Sequence, residues 1–220
     1  MNQSRLRAPA RAAAALLLAC SLAACALLGG GGGEQATIFA PEPRVVLDPA
    51  APTVDWQLTL SPPAAARVFD SFRIAVRPAP GELQVYSGVG WAKRPTDMLQ
   101  DAVLQALEDS GKIRGASRQG SGAAGHYRLL TDLRRFESDY AGNAVPAATI
   151  EVNAKLLHVI DRDIVASRTF RQAVPAAGTG PRQVSEAFSQ ALGTVAGDIG
   201  SWVLVTGDAH DGVEHPIAAP

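Results

Sequence analysis

Apolar and polar residues alternate along several stretches of the chain, which is the spacing of a half-buried β-strand. In one stretch, Ile150, Val152 and Ala154 alternate with the polar residues Glu151, Asn153 and Lys155. A turn signal at Asp161-Arg162-Asp163 predicts that this stretch forms a hairpin with the next one. We predict strands over residues 56–60, 72–76, 83–91, 112–118, 127–136, 150–160 and 164–174.

Two other stretches place apolar residues three and four positions apart, which is the spacing of an amphipathic helix. The first begins at Pro95 and ends before Gly111, because proline is favoured at a helix start and glycine just past its end. The second begins at Pro181 and extends for about 22 residues. Three glycines lie on one side of it and would allow it to approach a sheet closely: Gly193, Gly197 and Gly200.

These elements predict an α+β fold. We expect a mainly antiparallel sheet with two long helices, one central and one C-terminal, packed on one of its faces. The other face would carry polar side chains such as Glu151, Asn153 and Lys155, which suit solvent or a partner protein.

The N-terminus has the three parts of a targeting segment. A positively charged region with three arginines is followed by an apolar run over residues 12–22, which is too short to span a bilayer as a stable helix. The sequence Leu22-Ala23-Ala24-Cys25 then resembles a bacterial lipobox. The resemblance implies that a signal peptidase recognises Leu22, Ala23 and Ala24, and that lipid is attached to Cys25.

Other interpretations of this segment stay open. It also fits an ordinary cleaved secretory signal or an uncleaved anchor helix, and Cys20 is a second possible lipid acceptor. The order of large and small residues favours Cys25. Because Ala26 and not aspartate follows Cys25, resemblance to lipoprotein sorting in enteric-type bacteria favours the outer membrane, with the domain facing the periplasm.

These features divide the chain into four parts. We predict a lipoprotein signal peptide over residues 1–24 and a lipidated N-terminus with a glycine-rich tether over residues 25–35. A folded α+β domain follows over residues 36–206, and a disordered tail over residues 207–220.

Charge and cysteine content exclude several classes of function. The first 24 residues hold three of the 20 basic residues and none of the 21 acidic ones, so the rest of the chain has a formal charge of −4. This argues against a nucleic-acid partner and against a polybasic membrane patch. Because no cysteine follows Cys25, the domain has no disulfide, thiolate metal site or cysteine nucleophile.

No motif in the chain predicts catalysis, a cofactor or a metal. The glycines of residues 120–125 match the spacing G-x-G-x-x-G, but a predicted strand follows where a nucleotide-binding helix is needed, so we interpret them as a loop. His158 shares a predicted strand face with Leu156 and Ile160, and we interpret it as a core or edge histidine. Four residues near the C-terminus resemble loose metal ligands, but a solvated tail is the preferred interpretation: Asp208, His210, Asp211 and His215.

Short motifs follow one another in a characteristic order over residues 54–204. They are Tyr86-x4-Trp91-x3-Pro95-x2-Met98-Leu99, Tyr127-Arg128-Leu129, Leu133-Arg134-Arg135-Phe136-Glu137, Val165-Ala166-Ser167-Arg168-x-Phe170 and, in the last helix, Ala187-Phe188, Ala191-Leu192, Ile199 and Trp202. Their order resembles the ABC-type transport auxiliary lipoprotein family. These are outer-membrane lipoproteins encoded beside MCE-domain proteins and their ABC transporters.

The resemblance implies a non-catalytic role. The protein would dock onto a periplasmic MCE protein and its ABC permease and ATPase, and would support movement of phospholipid or other hydrophobic molecules between the membranes. A homo-oligomer is compatible with this role. Two alternatives remain, an outer-membrane assembly or structural lipoprotein and an envelope hydrolase.

Overall fold

A computed structural model describes residues 36–212 of the chain. This part contains nine strands and two helices. In chain order they are β1 (Thr37–Phe39), β2 (Val54–Leu60), β3 (Ala64–Ala65), β4 (Arg73–Arg77), β5 (Gln84–Trp91), α1 (Pro95–Ser110), β6 (Ile113–Arg118), β7 (Tyr127–Asp139), β8 (Ala147–His158), β9 (Ile164–Pro175) and α2 (Pro181–Asp211).

The sheet is organised around the long strand β7. On one side, β7 pairs with β8, and β8 pairs with β9, both antiparallel. On the other side, β7 pairs in parallel with three short strands in turn: β2 near its start, β3 in the middle and β4 near its end. Strand β6 extends the sheet beyond β2, while β5 and β1 extend it beyond β4.

The expectation of a mainly antiparallel sheet is wrong, because the described sheet is mixed. Five of its strand pairings are parallel and three are antiparallel. The alternation of apolar and polar residues marks a strand but carries no information about its direction. Direction depends on the connections, and here the connection from β2 to β6 contains β3, β4, β5 and helix α1, which is long enough for β6 to run parallel to β2.

Both predicted helices are present, and they pack together against one buried cluster. Helix α1 ends at Gly111, whose φ of 62° is a left-handed conformation that glycine adopts without steric cost. In the cluster, the ring of Phe188 from α2 stacks on Phe136 from β7 at 4.6 Å and meets the edge of Trp91 from β5 at 5.1 Å. Burying each such side chain stabilises the fold by about 1.5–3 kcal/mol.

Helix α2 is longer than the sequence pattern indicates. It extends to Asp211, so the prediction of a disordered tail from residue 207 is wrong for residues 207–211. The extra turns are held because Gly207 packs against the buried ring of Trp56 and its carbonyl oxygen accepts a hydrogen bond from Tyr127 Oη at 3.3 Å. The rest of the predicted tail, over residues 213–220, lies outside the described residues.

The two described helices can be tested for their ability to span a membrane. Neither of them is long and apolar enough to cross a membrane. The predicted signal peptide, the tether and the residues Leu22, Ala23, Ala24 and Cys25 lie outside the described residues.

Candidate functional site

The second part of the N-terminal segment (residues 36–47) lies directly against helix α2. A Cβ atom placed on Gly193 would come within 2.6 Å of the carbonyl oxygen of Arg44, and one on Gly197 would collide with that of Val46. Only glycine therefore allows the backbone of this segment to reach the helix. The glycines of α2 were expected to approach a sheet, but Gly193 and Gly197 approach the N-terminal segment instead.

Hydrogen bonds fix both ends of the N-terminal segment. Near its start, strand β1 pairs in parallel with β5, and the backbone N–H of Ala92 donates to the carbonyl of Phe39 at 2.8 Å. Just past its end, the backbone N–H of Asp48 donates to Ser201 Oγ of α2, also at 2.8 Å. The chain therefore enters the domain along a defined path, and a force applied at residue 36 acts first on β1.

A groove of about 370 Å³ opens between the N-terminal segment and helix α1. Its lining is largely apolar and includes Pro41, Pro43, Met98, Ala102 and Leu192. On its wall, Asp101 accepts hydrogen bonds from Lys93 Nζ at 2.7 Å and from Arg118 Nη2 at 2.6 Å. Partial burial favours the neutral carboxyl, but the two cations outweigh this effect and lower the pKa of Asp101.

A compact ion-pair cluster joins strands β4 and β7. Glu137 is fully buried, and both of its carboxylate oxygens accept from the guanidinium of Arg77 at 2.9 Å. Arg135 donates to Glu137 Oε1 and to Asp139 Oδ2, each at 2.6 Å. The hydrogen bond to Glu137 raises the pKa of Arg77. The two positive and two negative charges balance, so this cluster is a means of joining strands rather than a binding site for an ion.

A second polar cluster lies where the β8–β9 turn meets the end of α2. His158 is only 5% exposed, which confirms its interpretation as a core histidine. Its Nδ1 lies in close contact with the carboxylate of Asp161, and its ring lies 5.0 Å from that of His210. The sequence did not indicate this meeting, because His210 was assigned to the tail and lies far from His158 along the chain.

Tyr127 contacts both histidines of this cluster. Its hydroxyl lies 3.0 Å from His210 Nδ1, and its ring is 5.2 Å from that of His158. Burial, helped by the nearby negative charges of Asp211 and Asp161, raises the pKa of Tyr127 to about 12. The phenol therefore stays neutral and keeps its proton for hydrogen bonding at neutral pH.

The glycines of residues 120–125 form a loop between β6 and β7, as predicted. Strand β7 follows the loop, and both flanking strands pair with β2. A pyrophosphate-binding turn needs a helix N-terminus at this point. The observed geometry is that of a strand connection.

Comparison with known proteins gives a consistent result. The sequence model of the family described as ABC-type transport auxiliary lipoprotein component matches residues 37–200. A crystal structure of protein XCC0632 from Xanthomonas campestris, a member of the DUF330 family, is similar at 53% sequence identity and a TM-score of 0.77. That match covers 80% of this chain and 100% of the other.

A more distant crystal structure, of a protein described as uncharacterized, has 12% identity and a TM-score of 0.59, covering 76% of this chain and 97% of the other. This second likeness shows the fold alone. Comparison with curated proteins gives no match. Because the family match spans nearly the whole described domain, the chain belongs to the ABC-type transport auxiliary lipoprotein family.

Proposed function

We propose that this protein is an outer-membrane lipoprotein, anchored through lipid on Cys25, that serves as a docking component of an MCE-type ABC transport system. The system would move phospholipid or other hydrophobic molecules between the two membranes. The observation that carries this proposal is the family match over residues 37–200, together with the lipobox-like sequence that ends at Cys25.

The geometry of the N-terminal segment supports such an arrangement. The predicted tether over residues 25–35 would lead into β1, which is hydrogen-bonded to the sheet. The following residues are held on α2 by close packing at Gly193 and Gly197. A domain pulled toward a membrane through this connection would keep its fold, because the load is shared between a strand pairing and a helix contact.

The ion-pair cluster of β4 and β7 and the carboxylate of Asp101 support a non-catalytic role. The ionised groups of Arg77, Arg135, Glu137 and Asp139 are occupied with one another, and Asp101 is occupied by two cations. A general acid or base needs a pKa near the working pH, whereas the pKa of Asp101 is lowered away from it. The role would then depend on surfaces that bind other proteins.

A pull-down of the whole protein in mild detergent tests the proposal. We expect an MCE-domain protein and an ABC permease among the captured proteins, identified by mass spectrometry. The Cys25→Ser variant is the matched control, because it keeps the domain and, once detergent has dissolved the membranes, should capture the same partners. Repeated capture of outer-membrane assembly factors without any MCE or permease component would instead favour the structural alternative.

A further inference from the structure

Three side chains with metal-binding atoms converge at one end of the domain. His158 is the last residue of β8, Asp161 lies in the turn that follows, and His210 lies in the last turn of α2. One donor atom from each lies within 4.8 Å of the others. They come from two separate elements and the turn between strands, so the tertiary fold, not local sequence, brings them together.

Tyr127 holds the ring of His210 in place within this cluster. Its hydroxyl lies 3.3 Å from the carbonyl oxygen of Gly207, which can only accept, and 3.0 Å from His210 Nδ1. When the phenol donates its one proton to Gly207, His210 Nδ1–H donates to the phenol oxygen, and this tautomer carries its ring proton on Nδ1. A hydrogen bond to one ring nitrogen orients the ring of metal-ligating histidines in the same way.

Backbone contacts hold the other two ligands in place. The N–H of His158 donates to the carbonyl of Asp163 at 2.9 Å, and the N–H of Arg162 donates to the carbonyl of His158 at 3.0 Å. Arg162 has a φ of 63°, which turns the chain tightly enough to bring Asp161 back over His158. Ile160 at the tip of this turn is 79% exposed, so its side chain adds little packing that would oppose a shift of the neighbouring Asp161 side chain.

We propose that His158, Asp161 and His210 form a binding site for a divalent transition metal, with Zn²⁺ as the best fit. Two imidazoles and one carboxylate suit zinc, whereas Mg²⁺ and Ca²⁺ prefer oxygen ligands. Bonds of 2.0–2.1 Å at tetrahedral angles place donor atoms about 3.4 Å apart. On binding a metal, donor atoms that now lie within 4.8 Å of one another would take up this spacing, and the carboxylate of Asp161 would separate from His158 Nδ1.

The bound metal would join the end of α2 to the β8–β9 hairpin. Both elements are attached elsewhere in the fold, and near their ends this cluster and Tyr127 bring them together. The metal's fourth position would be filled by water, since three protein ligands leave it open. The site would therefore stabilise this end of the domain without being required for folding.

Metal titration of the whole protein tests this proposal. The protein is purified in detergent through a tag without histidine, stripped with a chelator, and titrated with Zn²⁺ by calorimetry and with Co²⁺ by visible absorption. We expect one ion per chain, intense absorption of the kind that tetrahedral Co²⁺ gives, and a rise in Tm of about 5–10 °C at a hundredfold excess of Zn²⁺ over its Kd.

Variants assign the binding to these residues. His210→Ala should abolish the Co²⁺ absorption and the rise in Tm, and Asp161→Asn should weaken Zn²⁺ binding at least tenfold. Asp163→Asn, which removes a carboxylate from the same turn but not from the cluster, should bind like the wild type. The proposal is overturned if the wild type takes up no Zn²⁺, or if His210→Ala binds it as tightly as the wild type does.

Discussion

At the scale of single residues, Glu137 links β4 to β7 through a buried charge. Its carboxylate is fully buried and accepts hydrogen bonds from two arginines, one on each strand. A buried charge is tolerated only when it is paired and its lone pairs are used. Both conditions hold here, so the residue contributes to the choice of strand partner as well as to stability.

Replacing Glu137 by glutamine keeps the size of the side chain but replaces one acceptor oxygen by an NH₂ group. The NH₂ group would face N–H groups of Arg77 or Arg135 and could not accept their hydrogen bonds. We expect Glu137→Gln to lower the free energy of unfolding by about 3 kcal/mol. Urea unfolding followed by circular dichroism measures this loss.

Glu151→Gln is the matched control for that substitution. Glu151 of β8 lies opposite Arg135 of β7 and is only half-buried. The same chemical change there should therefore alter the free energy of unfolding by less than about 0.5 kcal/mol. Equal effects of the two variants would contradict a special role for the buried carboxylate.

At this scale the sequence pattern indicates the sheet face of a side chain, but not the contacts that the side chain makes. The face shared with Leu156 predicted a core or edge position for His158, and the residue is buried. The alternation placed Asn153 on the polar outer face, but it is only 9% exposed because it donates to Ser167 and Thr169 of β9. The meeting of His158 with His210 was not predictable, because it depends on the last turn of α2 and on the burial of Tyr127.

At the scale of elements, both helices and most strands follow from periodicity, but the sheet order does not. Strand β7 was predicted as one strand, yet its edge is divided among β2, β3 and β4. Strand β3 has only two residues, too few to show a period. Strand β1 is similarly short, and the prolines that follow it concealed its pairing with β5.

The glycines of α2 give a testable consequence at this scale. Gly197→Ala gains about 1 kcal/mol of helix propensity but pushes a methyl group into the carbonyl of Val46, a clash that costs about 1–3 kcal/mol. We expect a net fall in Tm of about 2–4 °C, and faster hydrogen exchange at residues 44–47. Calorimetry and exchange mass spectrometry measure these two effects.

Gly212→Ala provides the comparison within the same region. Its added Cβ would have the carbonyl oxygen of Asp208 as its nearest neighbour, at an ordinary 3.8 Å, and its φ of −72° suits any residue. We expect no change in exchange at residues 44–47 for this variant. If hydrogen exchange at residues 44–47 were also unchanged in Gly197→Ala, the N-terminal segment would not need glycine at position 197 in order to pack on α2.

At the scale of the whole molecule, the proposed function separates anchoring from docking. The described domain forms one hydrophobic cluster that includes residues from both helices and most strands. Its N-terminal segment is bound to that domain by its own hydrogen bonds. The fold should therefore be independent of whatever is attached before residue 36, which makes anchoring testable by itself.

Cys25→Ser tests the anchor without changing the domain. Serine has no thiol to carry the lipid, and losing acyl chains worth about 0.8 kcal/mol per buried CH₂ should release the protein from the membrane. We expect the variant in the soluble fraction after a carbonate wash, with the wild-type Tm and circular dichroism spectrum. Cys20→Ser, which alters the other candidate acceptor, should stay on the membrane. Recovery of Cys25→Ser with the membrane would refute the anchor, whereas loss of its folded spectrum would refute the independence of the domain.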